Sequence, residues 1–165
     1  ELSEEEAFSR EEEFLIPGLI DIHFHGCLGQ DFCDGKREAI ECLAKYEIEH
    51  GVTGICPATL TLALEDLDTV LSLAKDYAEE GEKPGEARLL GINMEGPFIS
   101  HVKKGAQNEK YILKCDEKIL ARFIEKSGGL VKFVGLAPEE NPGFEDFIKK
   151  AKQEEIVINQ ISGCQ

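Results

Sequence analysis

His23 and His25 stand two residues apart in the run Asp21-Ile22-His23-Phe24-His25-Gly26. On an extended strand, side chains two apart leave the same face. Two imidazoles so placed can share one metal ion through ring nitrogens about 2 Å from it. Gly26 then lets the backbone turn without a side chain closing over the site. Farther along, Glu95 follows Gly91-Ile92-Asn93-Met94 and precedes Gly96-Pro97-Phe98. Glycine and proline are expected to end the strand there. The carboxylate left at its end is a hard oxygen ligand or an acid/base group. Each motif also has a plainer explanation: a hydrogen-bonded core histidine with an incidental neighbour, and an exposed strand-end glutamate. Burial beside two imidazoles would favour ligation, because an unpaired buried carboxylate is costly.

The surrounding sequence supplies elements that would bring these motifs to one end of a sheet. Residues 15–26 read as a buried strand, with Asp21, His23 and His25 on one face and Ile20, Ile22 and Phe24 on the other. A helix is predicted over 36–50, with Ile40, Leu43 and Ala44 on one face, and a short strand over 53–59. Residues 62–80 carry Leu64, Leu67, Leu71, Ala74 and Ala78 at helical spacing. A strand is predicted over 88–94, then a long loop over 97–114 with room for one short helical turn. The third helix spans 116–127, stopped by Gly128-Gly129, and a fourth strand covers 130–136. A fourth helix over 144–154 turns Phe144, Phe147, Ile148 and Ala151 inward, and a fifth strand covers 156–161.

Strand and helix thus alternate as in parallel βαβ units. Two α/β architectures fit: a doubly wound open sheet, or about five strands and four helices of a (β/α)8 TIM barrel. A complete barrel takes about 250 residues, so the 165 present would make only its first part. Neither GxGxxG nor GxxxxGK[ST] occurs, which weakens the nucleotide-binding open sheet. In a barrel, the C-terminal ends of the strands carry the active site, and both motifs are expected there.

Composition narrows the partners. Hydrophobic residues make up 42% and charged residues 31%, a globular balance. A formal net charge of −15 argues against nucleic acid and against anionic membrane surfaces. A small anionic substrate remains compatible, because a local site can be positive. No stretch approaches the apolar length of a membrane span. Residues 1–14 carry seven glutamates and no apolar centre, so they are expected to be a solvated acidic arm rather than a secretory signal. Cys27, Cys33, Cys42, Cys56, Cys115 and Cys164 form no CxxC pair. Their scatter fits reduced thiols and a cytoplasmic location.

The ordered motifs are more specific than either alone. Leu15-Ile16-Pro17-Gly18-Leu19-Ile20-Asp21-Ile22-His23-Phe24-His25-Gly26 is followed by Gly51-Val52-Thr53-Gly54 and Pro57-Ala58-Thr59-Leu60-Thr61. Then come Met94-Glu95-Gly96-Pro97-Phe98-Ile99-Ser100 and Lys103-Lys104-Gly105-Ala106-Gln107. This set resembles the N-acetylglucosamine-6-phosphate deacetylases of the amidohydrolase superfamily, from about Leu15 to Glu155. The HxH run indicates the superfamily. The Glu-Gly-Pro-Phe run with Gly-Ala-Gln about ten residues later indicates the deacetylases.

The resemblance implies a metal-dependent (β/α)8 barrel with a small β-sandwich domain. It implies hydrolysis of the acetamide of N-acetylglucosamine 6-phosphate to glucosamine 6-phosphate and acetate. By the same resemblance Glu95 is a metal ligand, His23 and His25 hold a second metal where one is present, and Ala106 and Gln107 touch the sugar. One or two divalent ions are implied, zinc first, with iron, manganese or cobalt as other candidates. The full-length form is implied to be a homodimer.

The chemistry agrees, because an amide carbonyl needs polarising and its leaving amine needs a proton. The aspartate that serves as general acid in the family is expected beyond residue 165, so no catalytic residue is assigned in this chain, and the chain alone is expected to be inactive. Cys164 falls about where a family histidine ligand belongs. An irregular or cut-short end explains it more simply than thiolate ligation. The acidic arm stands where the small β-sandwich would be.

Four other residues draw ordinary readings. His50 ends a helix, where a cation suits the dipole. His101 is expected to be a solvated loop histidine. Lys103 and Lys104 are expected to be loop charges, although they could attract a sugar phosphate. Two rival functions stand beside the deacetylase: a truncated, non-catalytic relative that binds sugar phosphate or assembles with a partner, and another amidohydrolase such as a cyclic-amide hydrolase.

Overall fold

The computed structural model describes residues 15–160. Four helices form where apolar side chains recur every three to four positions. Helix α1 (Arg37–Glu49) buries Ala39, Ile40, Leu43 and Ala44. Helix α2 (Leu64–Glu79) buries Leu67, Val70, Leu71, Ala74 and Tyr77, while Leu64 and Ala78, at its ends, pack only at the core's margin. Helix α3 (Glu117–Ser127) starts at Asp116, whose carboxylate accepts the Lys118 N–H, and stops at Gly128 with φ 60°. Glycine adopts that left-handed conformation without the penalty a Cβ brings. Helix α4 (Phe144–Gln153) buries Phe147 and Ala151, with Phe144 and Ile148 half-buried beside them.

The strands are β1 (Leu19–Asp21), β2 (Gly26–Cys27), β3 (Gln30–Asp31), β4 (Val52–Ile55), β5 (Ala58–Thr59), β6 (Arg88–Leu89), β7 (Ile92–Phe98), β8 (Val131–Leu136) and β9 (Val157–Gln160). Breaks at Cys56-Pro57 and at Leu90-Gly91 divide β4 from β5 and β6 from β7. Pairing continues across both breaks, through Leu90 N–H to Ile55 O (2.9 Å) and Asn93 N–H to Pro57 O (3.0 Å). The result is five parallel strands in sequence order: β1, β4/β5, β6/β7, β8 and β9. Each helix crosses over to the next strand in line. A doubly wound sheet must reverse direction at a switch point, whereas a barrel never does. The unbroken order selects the barrel.

Three expectations change in the structure. Residues 15–26 do not form one buried strand. Before the hairpin that starts at Gly26, only Leu19–Asp21 is regular strand, and Leu15, Ile16, Leu19, Ile20 and Ile22 are exposed. The reason is position: β1 is an edge, with β4 as its one strand neighbour among the described residues. The chain beyond Asp21 still follows the sheet, as Asp21 O accepts from Cys56 N (2.7 Å) and Phe24 O from Ala58 N (2.7 Å).

Second, Gly96-Pro97 does not end the third strand, which runs on to Phe98. Met94 pairs with Val134 and Phe98 with Leu136. Four residues of β7 therefore span two of β8, a bulge that absorbs the proline's missing N–H and re-aims the residues within it. Third, β2 and β3 form a hairpin that periodicity did not reveal. Its two-residue turn puts both Leu28 (φ 50°) and Gly29 (φ 78°) in the left-handed region, as a type I′ turn requires. The expected helical turn in the long loop is Glu109–Tyr111. The acidic arm over 1–14 and Cys164 lie outside the described residues.

Candidate metal centre

The first and third strands deliver three side chains to one place. His23 and His25 leave the segment just past β1, and Glu95 sits in the bulge of β7. Glu95 Oε2 lies 2.7 Å from His25 Nε2 and 3.3 Å from His23 Nε2. One ligand atom from each of the three falls within 4.8 Å of the other two. Despite these distances, Glu95 Oε2 is buried and receives no hydrogen bond, and His25 Nδ1 is likewise buried without a partner. Three possible ligand atoms thus stand around one point, as they would around a shared cation.

Two imidazole nitrogens and a carboxylate oxygen suit zinc and its first-row neighbours, and a cation there would satisfy the orphaned oxygen. The side chain of His23 is 51% exposed and that of His25 33%. The site is thus open on one side, as a centre that must admit water or substrate has to be.

Supporting residues fix this geometry. The Asp21 carboxylate accepts the His23 backbone N–H at 2.9 Å. Asn93 is 3% exposed. Its amide donates to Ile22 O at 2.9 Å and lies 3.2 Å from His23 Nδ1. It ties the β1 extension to β7. Sequence reasoning missed Asn93. The signal was present: a polar residue in an apolar strand, two before Glu95 and so on its face.

Gln107 is brought into the centre. Its amide nitrogen donates to Glu95 Oε1 at 3.1 Å, and its amide oxygen accepts the Thr61 N–H at 2.7 Å. It thereby clamps the loops after the second and third strands. Ala106 beside it is exposed. Gly96 is dictated by the same packing, since a Cβ there would stand 2.1 Å from Thr61 Oγ1.

The other singled-out residues lie off the centre. Lys104 donates to Gln107 O at 3.3 Å and serves the loop. His50 caps α1, its Nδ1 2.7 Å from Tyr46 O. His101 is exposed but not simply solvated: its backbone N–H donates to Glu140 Oε1 at 3.0 Å and its ring lies 3.4 Å from Oε2. Glu140 also accepts from Ser100 at 2.9 Å and pairs with Lys114 at 3.3 Å. The Ser100 hydroxyl first, then Lys114 and His101, hold the Glu140 carboxyl down at about 2.

Parallel strands in sequence order, with histidines and a carboxylate converging at their C-terminal ends, describe a hydrolase-type (β/α)8 barrel with a place for a metal. Comparison with known proteins agrees. Residues 14–160 match the model of the amidohydrolase family, and the chain belongs to that family. An N-acetylglucosamine-6-phosphate deacetylase of Bacillus subtilis is 37% identical over 147 residues, covering 88% of this chain and 37% of that protein. An N-acetylgalactosamine-6-phosphate deacetylase of Escherichia coli O157:H7 is 31% identical over 149 residues, covering 90% of this chain and 39% of that protein. The crystal structure of an N-acetylglucosamine-6-phosphate deacetylase of Thermotoga maritima superposes with a TM-score of 0.74 at 30% identity, over 87% of this chain and 36% of that one. The chain therefore spans well under half the length of these relatives, and the superposition identifies its fold with part of theirs.

Proposed function

We propose that the full-length protein is a metal-dependent amide hydrolase that removes acetate from N-acetylglucosamine 6-phosphate to give glucosamine 6-phosphate. The observation that carries this is the convergence of His23 and His25 on a buried Glu95 oxygen that has no hydrogen bond, in a chain of the amidohydrolase family. These three residues would hold one or two divalent ions, zinc first, with iron, manganese or cobalt as alternatives. Bound there, such an ion supplies Lewis-acid polarisation of the amide oxygen and a water acidic enough to be hydroxide near neutral pH.

The chain's own residues set the stage. Gln107 and Asn93 orient Glu95 and His23. One amide hydrogen of Gln107 goes to Glu95, which leaves the other for a sugar hydroxyl beside Ala106. The leaving amine would take its proton from a general acid elsewhere in the full-length protein.

The same reading makes residues 15–165 part of the barrel and 1–14 an acidic arm. The full-length protein would be a cytoplasmic homodimer that binds neither nucleic acid nor membrane. Among the described residues no helix is long and apolar enough to cross a membrane. The Escherichia coli relative's name favours a second substrate, N-acetylgalactosamine 6-phosphate, which differs only at one hydroxyl.

The test is metal content and acetate release of the full-length protein beside Glu95→Ala, with both sugar phosphates. The expected result is a clear loss of bound metal and of acetate release in the variant. Undiminished metal would remove Glu95 from the site, and acetate from the galactose epimer alone would replace the substrate.

A further inference from the structure

The loop from β7 to α3 carries Ala106 and Gln107 near its middle, and both of its feet rest on two residues of the loop after β8. Glu140 closes the short turn Pro138–Glu140, and Asn141 follows it. At the near foot, Glu140 Oε1 accepts the Ser100 hydroxyl at 2.9 Å and the His101 N–H at 3.0 Å. The Asn141 amide donates there to Phe98 O at 3.2 Å. At the far foot, Lys114 donates to Glu140 Oε2 at 3.3 Å and also to its backbone oxygen. Asn141 Oδ1 accepts the Cys115 N–H at 2.7 Å. The second amide hydrogen of Asn141 goes to Ala137 O at 2.8 Å, and the residue is 1% exposed.

These two residues are suited to the task. A carboxylate makes the stronger, charge-assisted kind of hydrogen bond. A buried amide with both its nitrogen and its oxygen engaged has one orientation. Between the feet, the Gln107 N–H donates to Lys104 O at 3.0 Å, and the Gln107 side chain spans from Thr61 to Glu95. Those two side-chain bonds come from one glutamine, and ordering a long loop costs entropy at every residue. Fixing both ends beforehand leaves a shorter closed segment and less entropy to lose when Gln107 seats.

We propose that Glu140 and Asn141 are positioning residues for the deacetylation: by pinning both feet of the β7–α3 loop, they seat Gln107 against Glu95 and the sugar. The proposal rests on the deacetylase reading for its substrate. Neither residue touches the metal centre. Each acts through the loop, and Gln107 is the one point at which that loop meets Glu95 among the described hydrogen bonds.

The experiment compares full-length Glu140→Ala, Gln107→Ala and the double variant. It measures kcat/KM for acetate release from N-acetylglucosamine 6-phosphate, and hydrogen exchange of peptides covering Thr61. Each single variant is expected to lose about tenfold, the worth of one hydrogen bond. The double variant should lose no more than Gln107→Ala alone, because one residue acts through the other. Glu140→Gln keeps an acceptor oxygen for Ser100 and His101 and should restore most of the rate. The Thr61 N–H, which donates to Gln107 Oε1, should exchange faster in Glu140→Ala and Gln107→Ala alike. Additive losses, or unchanged Thr61 exchange in Glu140→Ala, would overturn the proposal. Where Glu140→Ala does not fold, Ser100→Ala removes one donor from the same carboxylate and should give a smaller effect in the same direction. A wild-type protein that releases no acetate would sink the deacetylase reading, while the exchange data still decide whether Glu140 seats Gln107.

Discussion

Glu95 is held by Gln107 on one oxygen, while its other oxygen stands beside the two histidines without a hydrogen bond. That division of labour makes its neighbours testable one at a time. Asn93→Leu removes the amide that places His23, and loss of such an outer support typically costs 10–100-fold in metal affinity. A competition titration with a chromogenic chelator should read a loss of about that size, with the fold intact by circular dichroism. Gly96→Ala puts a methyl group against Thr61 Oγ1 and is expected to destabilise by about 1–3 kcal/mol, read as an earlier urea midpoint.

Glu140 gives a pH dependence. Its folded-state value of about 2 lies below its ordinary 4.5, so its contribution is present above about 4.5 and disappears as pH falls toward 2. Glu140→Gln should flatten that stretch of the acid-unfolding curve. An unchanged curve would mean that the Ser100–His101–Lys114 cluster does not hold the two loops.

The elements themselves follow from local pattern. Phe98 shows how they are joined: it ends β7, is fully buried, and lies 5.1 Å from the Phe147 ring of α4 and 6.4 Å from the Phe123 ring of α3. Phe98→Ala should therefore cost about 3–5 kcal/mol in equilibrium unfolding, more than any exposed strand residue. All four helices and the strands between them were legible, because apolar spacing and caps such as Asp116 and Gly128 act within a few residues of chain. The bulge at Glu95–Pro97 and the hairpin at Gly26–Asp31 were not. A bulge is a difference in register between two strands, and nothing in β7 alone records how many residues β8 spends over the same distance. The hairpin has only two residues in each strand, too few for any period, and its turn places a leucine where asparagine or glycine is usual.

At the scale of the molecule, the sheet of the described residues has two open edges. Leu19 and Ile20 on β1, Ile22 just past it and Val157 on β9 are exposed, and unpaired apolar edges seek partners. The isolated 165-residue chain should self-associate with rising concentration in sedimentation velocity, and Ile20→Lys should reduce it. A monomer at all concentrations would show that these edges are closed in another way. The isolated chain should also release no acetate from N-acetylglucosamine 6-phosphate, whereas the full-length protein should.

Residue order by itself determined the alternation of strand and helix, the pairing of His23 with His25 on one face, and the family motif around Glu95. These are properties of neighbouring positions, set by local geometry and side-chain chemistry. Only the tertiary structure decided that strands more than sixty residues apart bring those imidazoles to within 3.3 Å of Glu95. It also decided that Gln107 closes on Thr61 and that β1 is an exposed edge. Those outcomes depend on register and on the sequential winding of parallel strands. Long-range packing fixes both, so no single stretch of the chain carries them.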